Sequence, residues 1–252
     1  MANISITFGS FTFNATNNIT VSRLSEETAQ TPQVTKIPKQ YGSVAETALV
    51  GSKTITIEGD IAGTSYDNLQ VNINAFKTAI LNGIQQLSID DTKYIMAQVK
   101  GSIGIAYEHL SRYAKWKVSF IAHYPFWLSE TLHTDERTPV SGAGYTINNA
   151  GNAPCRVKIE ITAPGGGVSD NIQVENTTRG ELCKYRGDVT QYETLEIDNR
   201  VDTDDFQVLN DSVDDTVNFE GDFINLSPGD NTIEFTGTAN CIVKLSYHDA
   251  WY

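Results

Sequence analysis

Glu58 and Asp60 are the two carboxylates best spaced for acid–base chemistry in this chain. On one strand face, such a pair could divide the work of glycoside cleavage between an acid and a nucleophile or base. They flank Gly59 in a strand pattern carried by Ile55, Ile57 and Ile61, so they equally fit two solvent-facing side chains. His109, His123, His133 and His248 form no H-x-x-H or H-E-x-x-H spacing, and Cys155, Cys183 and Cys241 form no C-x-x-C pair, so no local zinc motif is present. Between Asp198 and Asp230 stand Asp202, Asp204, Asp205, Asp211, Asp214 and Asp215, hard oxygen donors of the kind calcium takes, but without EF-hand spacing. Gly165-Gly166-Gly167 follows Pro164 and precedes a strand, which makes it a turn, and there is neither a P-loop nor a G-x-S-x-G elbow. The aromatic end, Tyr247, Trp251 and Tyr252, suits either a contact surface or a last strand packing into its own core. The expectation is a protein with no catalytic set, no metal and no cofactor.

Composition narrows the partners. Of 252 residues, 18 are Lys or Arg and 31 are Asp or Glu, a net charge of −13, whereas surfaces that grip phosphates cluster Lys and Arg. Residues 1–136 carry 10 basic and 12 acidic side chains, and residues 137–252 carry 8 and 19, a net of −2 against −11. That asymmetry predicts two domains, 1–136 and 137–252. Met1–Ser5 lacks the basic and apolar regions of a signal peptide, and no apolar run approaches membrane-spanning length. The expectation is synthesis in a cytoplasm, without membrane insertion and with three reduced thiols.

Periodicity supplies the elements. Ile4, Ile6 and Phe8, then Gly9-Ser10, then Phe11 and Phe13 predict a hairpin. Leu69, Ile73, Phe76 and Ile80, spaced four, three and four apart, predict the single convincing helix, with Ser65 to cap it, Asp67 in its first turn and Gly83 to end it. Trp116, Val118, Phe120 and Ala122 alternate as a strand, and an Asp90-Asp91 turn precedes another. Ser25–Ala48 is polar with no clear core face, which fits either a mobile segment or an arm whose contacts lie on another subunit. Residues 129–145, with Pro139, Gly142 and Gly144, are expected to be a linker. Beyond them, short alternating runs separated by Gly, Asn and Asp turns predict a sandwich or jelly roll.

Several stretches resemble a known family. They are Gly59-Asp60-Ile61 before the helix, Tyr124-Pro125-Phe126-Trp127 closing the first half, and Asn149-Ala150-Gly151-Asn152-Ala153-Pro154 opening the second. Leu195-Glu196-Ile197-Asp198 and Leu226-Ser227-Pro228-Gly229-Asp230-Asn231-Thr232-Ile233 follow. In this order and spacing they resemble the distal tail proteins of long-tailed, non-contractile bacteriophages over nearly the whole chain. In one departure, Tyr124 stands where relatives often have an acidic residue. The resemblance implies a mainly β, two-domain protein, with a β-barrel-like N-terminal domain carrying one helix and a galectin-like or jelly-roll C-terminal sandwich. It also implies a homohexameric ring at the virion tail tip, assembled in the host cytoplasm. The ring joins the tail-tube protein to the tail-tip or baseplate hub, passes DNA through its channel without specific binding, and in some relatives holds receptor-binding proteins for host attachment. Pro125, Phe126, Asn149, Gly151, Pro154, Pro228, Gly229, Asp230 and Asn231 carry the motifs. Pro32, Val34, Ile37, Pro38 and Tyr41 are the candidate inter-subunit arm. The rival readings are a carbohydrate-binding adhesin, a tail-tube subunit and a glycan-cleaving enzyme.

Overall fold

Alternating apolar and polar residues build almost every element of this chain. The computed structural model describes residues 5–31, 34–36, 43–45, 49–108, 112–165, 172–200, 206–237 and 241–252. The chain divides into two compact units, Met1–Trp127 and Leu128–Tyr252.

The strands of the first unit are β1 (Ile6–Phe8), β2 (Phe11–Thr12), β3 (Ile19–Thr31), β4 (Val34–Lys36), β5 (Ser43–Ala45), β6 (Leu49–Ala62), β7 (Gln85–Ile89), β8 (Lys93–Val99), β9 (Gly104–Glu108) and β10 (Tyr113–Ala122). An antiparallel sheet runs in the order β2-β1-β7-β8-β10-β6-β3, and β9 also pairs with β10. Among the described residues this sheet does not close into a barrel. One face buries Ile55, Ile57 and Ile61 of β6 and Ala114, Trp116, Val118 and Phe120 of β10. Helix α1 (Tyr66–Ile80) lies over that face and buries Leu69, Ile73, Phe76 and Ile80, the four residues the periodicity selects. Its start is fixed as the sequence predicts: the Ser65 hydroxyl accepts a hydrogen bond from Asn68 N at 3.2 Å. The Phe76 and Phe13 rings sit 4.9 and 5.5 Å from Trp116. The predicted hairpin pairs Phe8 with Phe11, and Asp90 and Asp91 both take positive φ in the turn between β7 and β8.

The polar segment after Ser25 departs from expectation. From Ser25 to Thr31 it is the second half of β3, paired with β6 from Thr56 back to Leu49. A strand needs only a backbone partner, so an extension that buries no residue from Ser25 to Ala29 leaves no hydrophobic period to find. β4 and β5 pair in turn, Val34 opposite Ala45.

β11 (Trp127–Ser129) straddles the boundary between the units. The second unit holds β12 (His133–Arg137), β13 (Gly144–Asn149), β14 (Cys155–Thr162), β15 (Ile172–Asn176), β16 (Glu181–Tyr185), β17 (Thr194–Asp198), β18 (Gln207–Asn210), β19 (Val213–Asp214), β20 (Phe219–Gly221), β21 (Asn225–Leu226), β22 (Gly229–Thr236), β23 (Ile242–Tyr247) and β24 (Ala250–Trp251). Two antiparallel sheets, β12-β23-β14-β17-β18-β19 and β13-β22-β15-β16-β20, form a β-sandwich. Cys155, Val157, Ile159, Ile161, Val243 and Leu245 fill it from one sheet, and Val174, Ile233 and Phe235 from the other. The expected linker is partly a strand, because β12 pairs along its whole length with β23. As an edge strand, β12 is mostly charged, which hides it from a search for alternating apolar residues. At the C-terminus Tyr247 is buried and its hydroxyl donates to Asn148 O at 2.8 Å, whereas Tyr252 is 59% exposed.

Candidate assembly site

The residues best suited to chemistry do not form a catalytic centre. Glu58 and Asp60 lie on the sheet face opposite the core, each beside a lysine across the strand pair: Lys117 faces Glu58 and Lys115 faces Asp60. Lys117 Nζ stands 2.7 Å from Glu58 and its hydrogen bond holds that carboxyl below the usual range, so Glu58 is a cross-strand ion-pair partner. The histidines are scattered. His123 meets Gln98, His133 lies 3.0 Å from Asp249, His248 meets the Ser129 carbonyl, and His109 lies outside the described residues. Among the described residues no group of three or more His, Cys, Asp or Glu is placed to hold a metal ion, and Asp202, Asp204 and Asp205 lie outside them. Burial pushes the Cys155 and Cys183 thiols up to about 12 and raises that of Cys241, so all three are inert packing groups.

The two glycine–asparagine stretches of the second unit, far apart in sequence, meet in space. β13 pairs with β22 so that Asn148 faces Asp230 and Asn149 faces Gly229, and Asn148 Nδ2 donates to Asp230 Oδ1 at 2.8 Å. Fully buried Asn149 donates to the carbonyls of Ala153 and Leu226 and accepts from Gly151 N. Fully buried Asn231 donates to the carbonyls of Ser227 and Gly229 and accepts from Ser227 N at 2.8 Å. Asn176 adds a third buried amide, donating to Asn225 O and Asn231 Oδ1. Each such bond contributes about 1 kcal/mol net, and an amide left unpaired there would cost more than that. Gly151 has no room for a side chain, since a Cβ would meet Ala250 O at 1.9 Å. Gly229 takes φ +82, the conformation its turn requires. Pro154 is half-buried and Pro228 exposed. Pro125 and Phe126 belong to the first unit, both buried, with Phe126 edge-on to Tyr124 at 5.1 Å.

The first unit presents a different feature, the β3–β6 hairpin with β4 and β5 beyond it. Of the candidate arm residues, Val34 is in β4, while Pro32, Ile37, Pro38 and Tyr41 lie outside the described residues. Three residues that periodicity passes over tie the hairpin down. Lys53, only 2% exposed, places Nζ 3.4 Å from Glu26 Oε2 and 5.5 Å from the centre of the Trp127 ring. Trp127 Nε1 donates to the same Glu26 oxygen at 3.1 Å. Lys53 and Glu26 sit in strand register positions that resemble any polar strand, so only the structure reveals that this lysine is buried.

Beside the hairpin, the sheet is locally four strands wide, β9-β10-β6-β3. Among the described residues its two outer strands, β9 and β3, each pair on one side only. Its non-core face carries Arg23, Lys115 and Lys117 against Glu58, Asp60 and Glu108, three charges of each sign.

Residues 150–251 match the family model described as the siphovirus-type tail component, C-terminal domain. The matched residues all lie within the second unit. The match spans the Asn149–Gly151 and Ser227–Asn231 junction almost entirely, so the amide-bonded turns lie within the matched residues. The crystal structure of SPP1 Dit (gp 19.1), described as a paradigm of the hub adsorption apparatus in phages infecting Gram-positive bacteria, is similar over 96% of this chain and 98% of its own. The TM-score is 0.73 at 12% identity. Two structures of the phage p2 baseplate in its activated conformation, with Sr and with Ca, match over 96% of this chain and 97% of theirs, with TM-scores of 0.52 and 0.54 at 12% identity. These likenesses establish a shared fold extending beyond residues 150–251 into the first unit. They agree with the resemblance to distal tail proteins drawn from the sequence. No curated protein matches the sequence.

Proposed function

We propose that this chain is a structural distal tail protein of a non-contractile phage, a homohexameric ring without catalysis that joins the tail tube to the tail-tip or baseplate hub. The observation that carries the ring is the pair of free strand edges on the first unit. β3, β6, β10 and β9 alternate in direction, so β3 of one copy and β9 of the next are antiparallel when copies are related by rotation about an axis along the strands. Such edges pair head to tail, and closing the ring covers both of them. The SPP1 and p2 structures, described as hub and baseplate, support the placement at the virion tail tip. In this reading the non-core face of the four-strand patch lines the channel. Its lysines are matched by carboxylates, so a DNA duplex passes without being gripped. The second unit offers surface to hub or receptor-binding partners, and assembly takes place in the host cytoplasm.

Native mass spectrometry of the purified full chain tests the reading. A closed six-subunit species of about 166 kDa is expected from a 27.7 kDa subunit. Replacing residues 32–48 with a short Gly-Asn turn removes the candidate arm and leaves the β3 and β9 edges, so it should weaken that species without abolishing it while both units stay folded, because β3 keeps its partners up to Thr31. Long tubes would point instead to a tail-tube subunit. Monomer at every concentration, with tube and hub proteins added, would overturn the ring.

A further inference from the structure

The second unit carries a stack of phenylalanine rings at its surface that its own core does not use. Phe206, just ahead of β18, lies 5.1 Å from Phe223 with the rings 28° apart, and Phe219, which opens β20, lies 4.7 Å from Phe223 at 25°. The Arg156 guanidinium stands over Phe206 at 5.2 Å. Phe206 is 57% exposed, and Val217, on the 3-10 turn Thr216–Asn218 leading into Phe219, is 89% exposed. Val213 of β19 is exposed beside them in sequence. Isolated exposed apolar residues need no explanation, but a ring stack with a valine at its side is a contiguous apolar surface.

Charge selects the occupant. From Phe206 to Gly237 there are seven carboxylates and not one Lys, Arg or His. Four of these are engaged within the domain: Asp215 by the Tyr185 hydroxyl and Asn218, Glu220 by Arg186, Asp230 by Asn148, and Asp214 by its neighbour Thr216. The Asp214 bonds come from a neutral hydroxyl and an amide and hold its carboxyl below the usual range, so its charge persists at neutral pH. Asp222 is exposed next to Phe223, and Asp211 is exposed at the β18–β19 turn. Phe223 is stacked against two neighbours and a guanidinium stands over Phe206, so these two rings offer little open face for a sugar to stack on. An aliphatic or aromatic side chain needs no such open face.

We propose that Phe206, Val217, Phe219 and Phe223 form a docking surface for a segment of another polypeptide that inserts an apolar side chain flanked by Lys or Arg. The apolar anchor supplies most of the binding energy, and the basic flanks meet Asp214 and Asp222 and set orientation and on-rate. This surface does not depend on the ring reading.

The test is a selection of displayed random short peptides on the immobilised full chain. Enriched peptides are expected to hold an apolar residue between basic ones. Against a Phe206→Ser/Val217→Ser variant their affinity should fall about tenfold or more, as for the loss of an anchor. Phe206→Ser gives up its stacking on Phe223 and beneath Arg156, so the thermal midpoint should fall by a few degrees at most, and binding is compared well below it. As a second variant, Asp214→Asn/Asp222→Asn leaves every apolar contact in place and should weaken binding and flatten its salt dependence. Enrichment without basic residues, affinity unchanged in either variant, or no enrichment at all would overturn the proposal. So would glycan-array binding that is lost on Phe206→Ser.

Discussion

Gly151 lies against the carbonyl of Ala250, so close that a Cβ on residue 151 would sit 1.9 Å from that oxygen. The contact involves backbone on both sides, and neither partner can rotate away. Gly151→Ala is therefore expected to destabilise the second unit by about 3 kcal/mol, the upper range for overpacking a rigid site. Urea unfolding followed by tryptophan fluorescence would measure it. A loss under 1 kcal/mol would mean that the Ala250 strand shifts freely.

Lys53 and Glu26 should respond unequally to substitution. Removing Glu26 leaves a buried ammonium without its counter-charge, which costs about 3 kcal/mol or more. Lys53→Met removes the charge and keeps much of the packing against Trp127, so it should cost distinctly less. The same urea titration on Glu26→Gln, Lys53→Met and the double variant forms a cycle, and equal losses for the two singles would refute a buried pair.

Alkaline pH should weaken the fold well before extreme values are reached. Burial raises the Cys155 and Cys183 thiols from 9.0 to about 12 and the Tyr247 phenol from 10.0 to about 12. In each case the unfolded chain gives up its proton first. The stability these groups contribute is intact below about pH 9 and is lost progressively as pH rises toward 12. Urea midpoints between pH 7 and 10.5 should fall steadily above pH 9, and thiol reagents at pH 8 should label the cysteines only when the chain unfolds.

The cap of α1 offers a smaller effect. Ser65→Ala removes the acceptor for Asn68 N and should cost about 1 kcal/mol, with Ser65→Asp close to neutral. Thermal melting of the two variants compares them directly.

What the sequence disclosed depended on whether an element had a buried face. α1 and β10 declare themselves because Leu69, Ile73, Phe76, Ile80 and the Trp116–Ala122 alternation all point at one core. Ser25–Ala29 of β3 and the strand β12 bury almost nothing, and pairing through the backbone leaves no trace in residue type. The Asn149 and Asn231 stretches were visible as motifs, yet their meeting across β13 and β22 is a matter of register between positions 82 residues apart. Lys53 was invisible for the opposite reason: a lysine in a strand is ordinarily read as solvent-facing, and only three-dimensional packing puts Trp127 over it.

The buried amides of Asn149, Asn176 and Asn231 spend most of their hydrogen bonds on main-chain carbonyls and N–H groups. Every residue type offers the same carbonyl, so this scaffold asks for little beyond the asparagines themselves and the glycines at its closest approaches. Sequence elsewhere is then free to drift. Main-chain bonds of this kind tolerate change in the residues that supply the carbonyls, and the chain shares its fold with SPP1 Dit at a TM-score of 0.73 while agreeing with it at only 12% of positions.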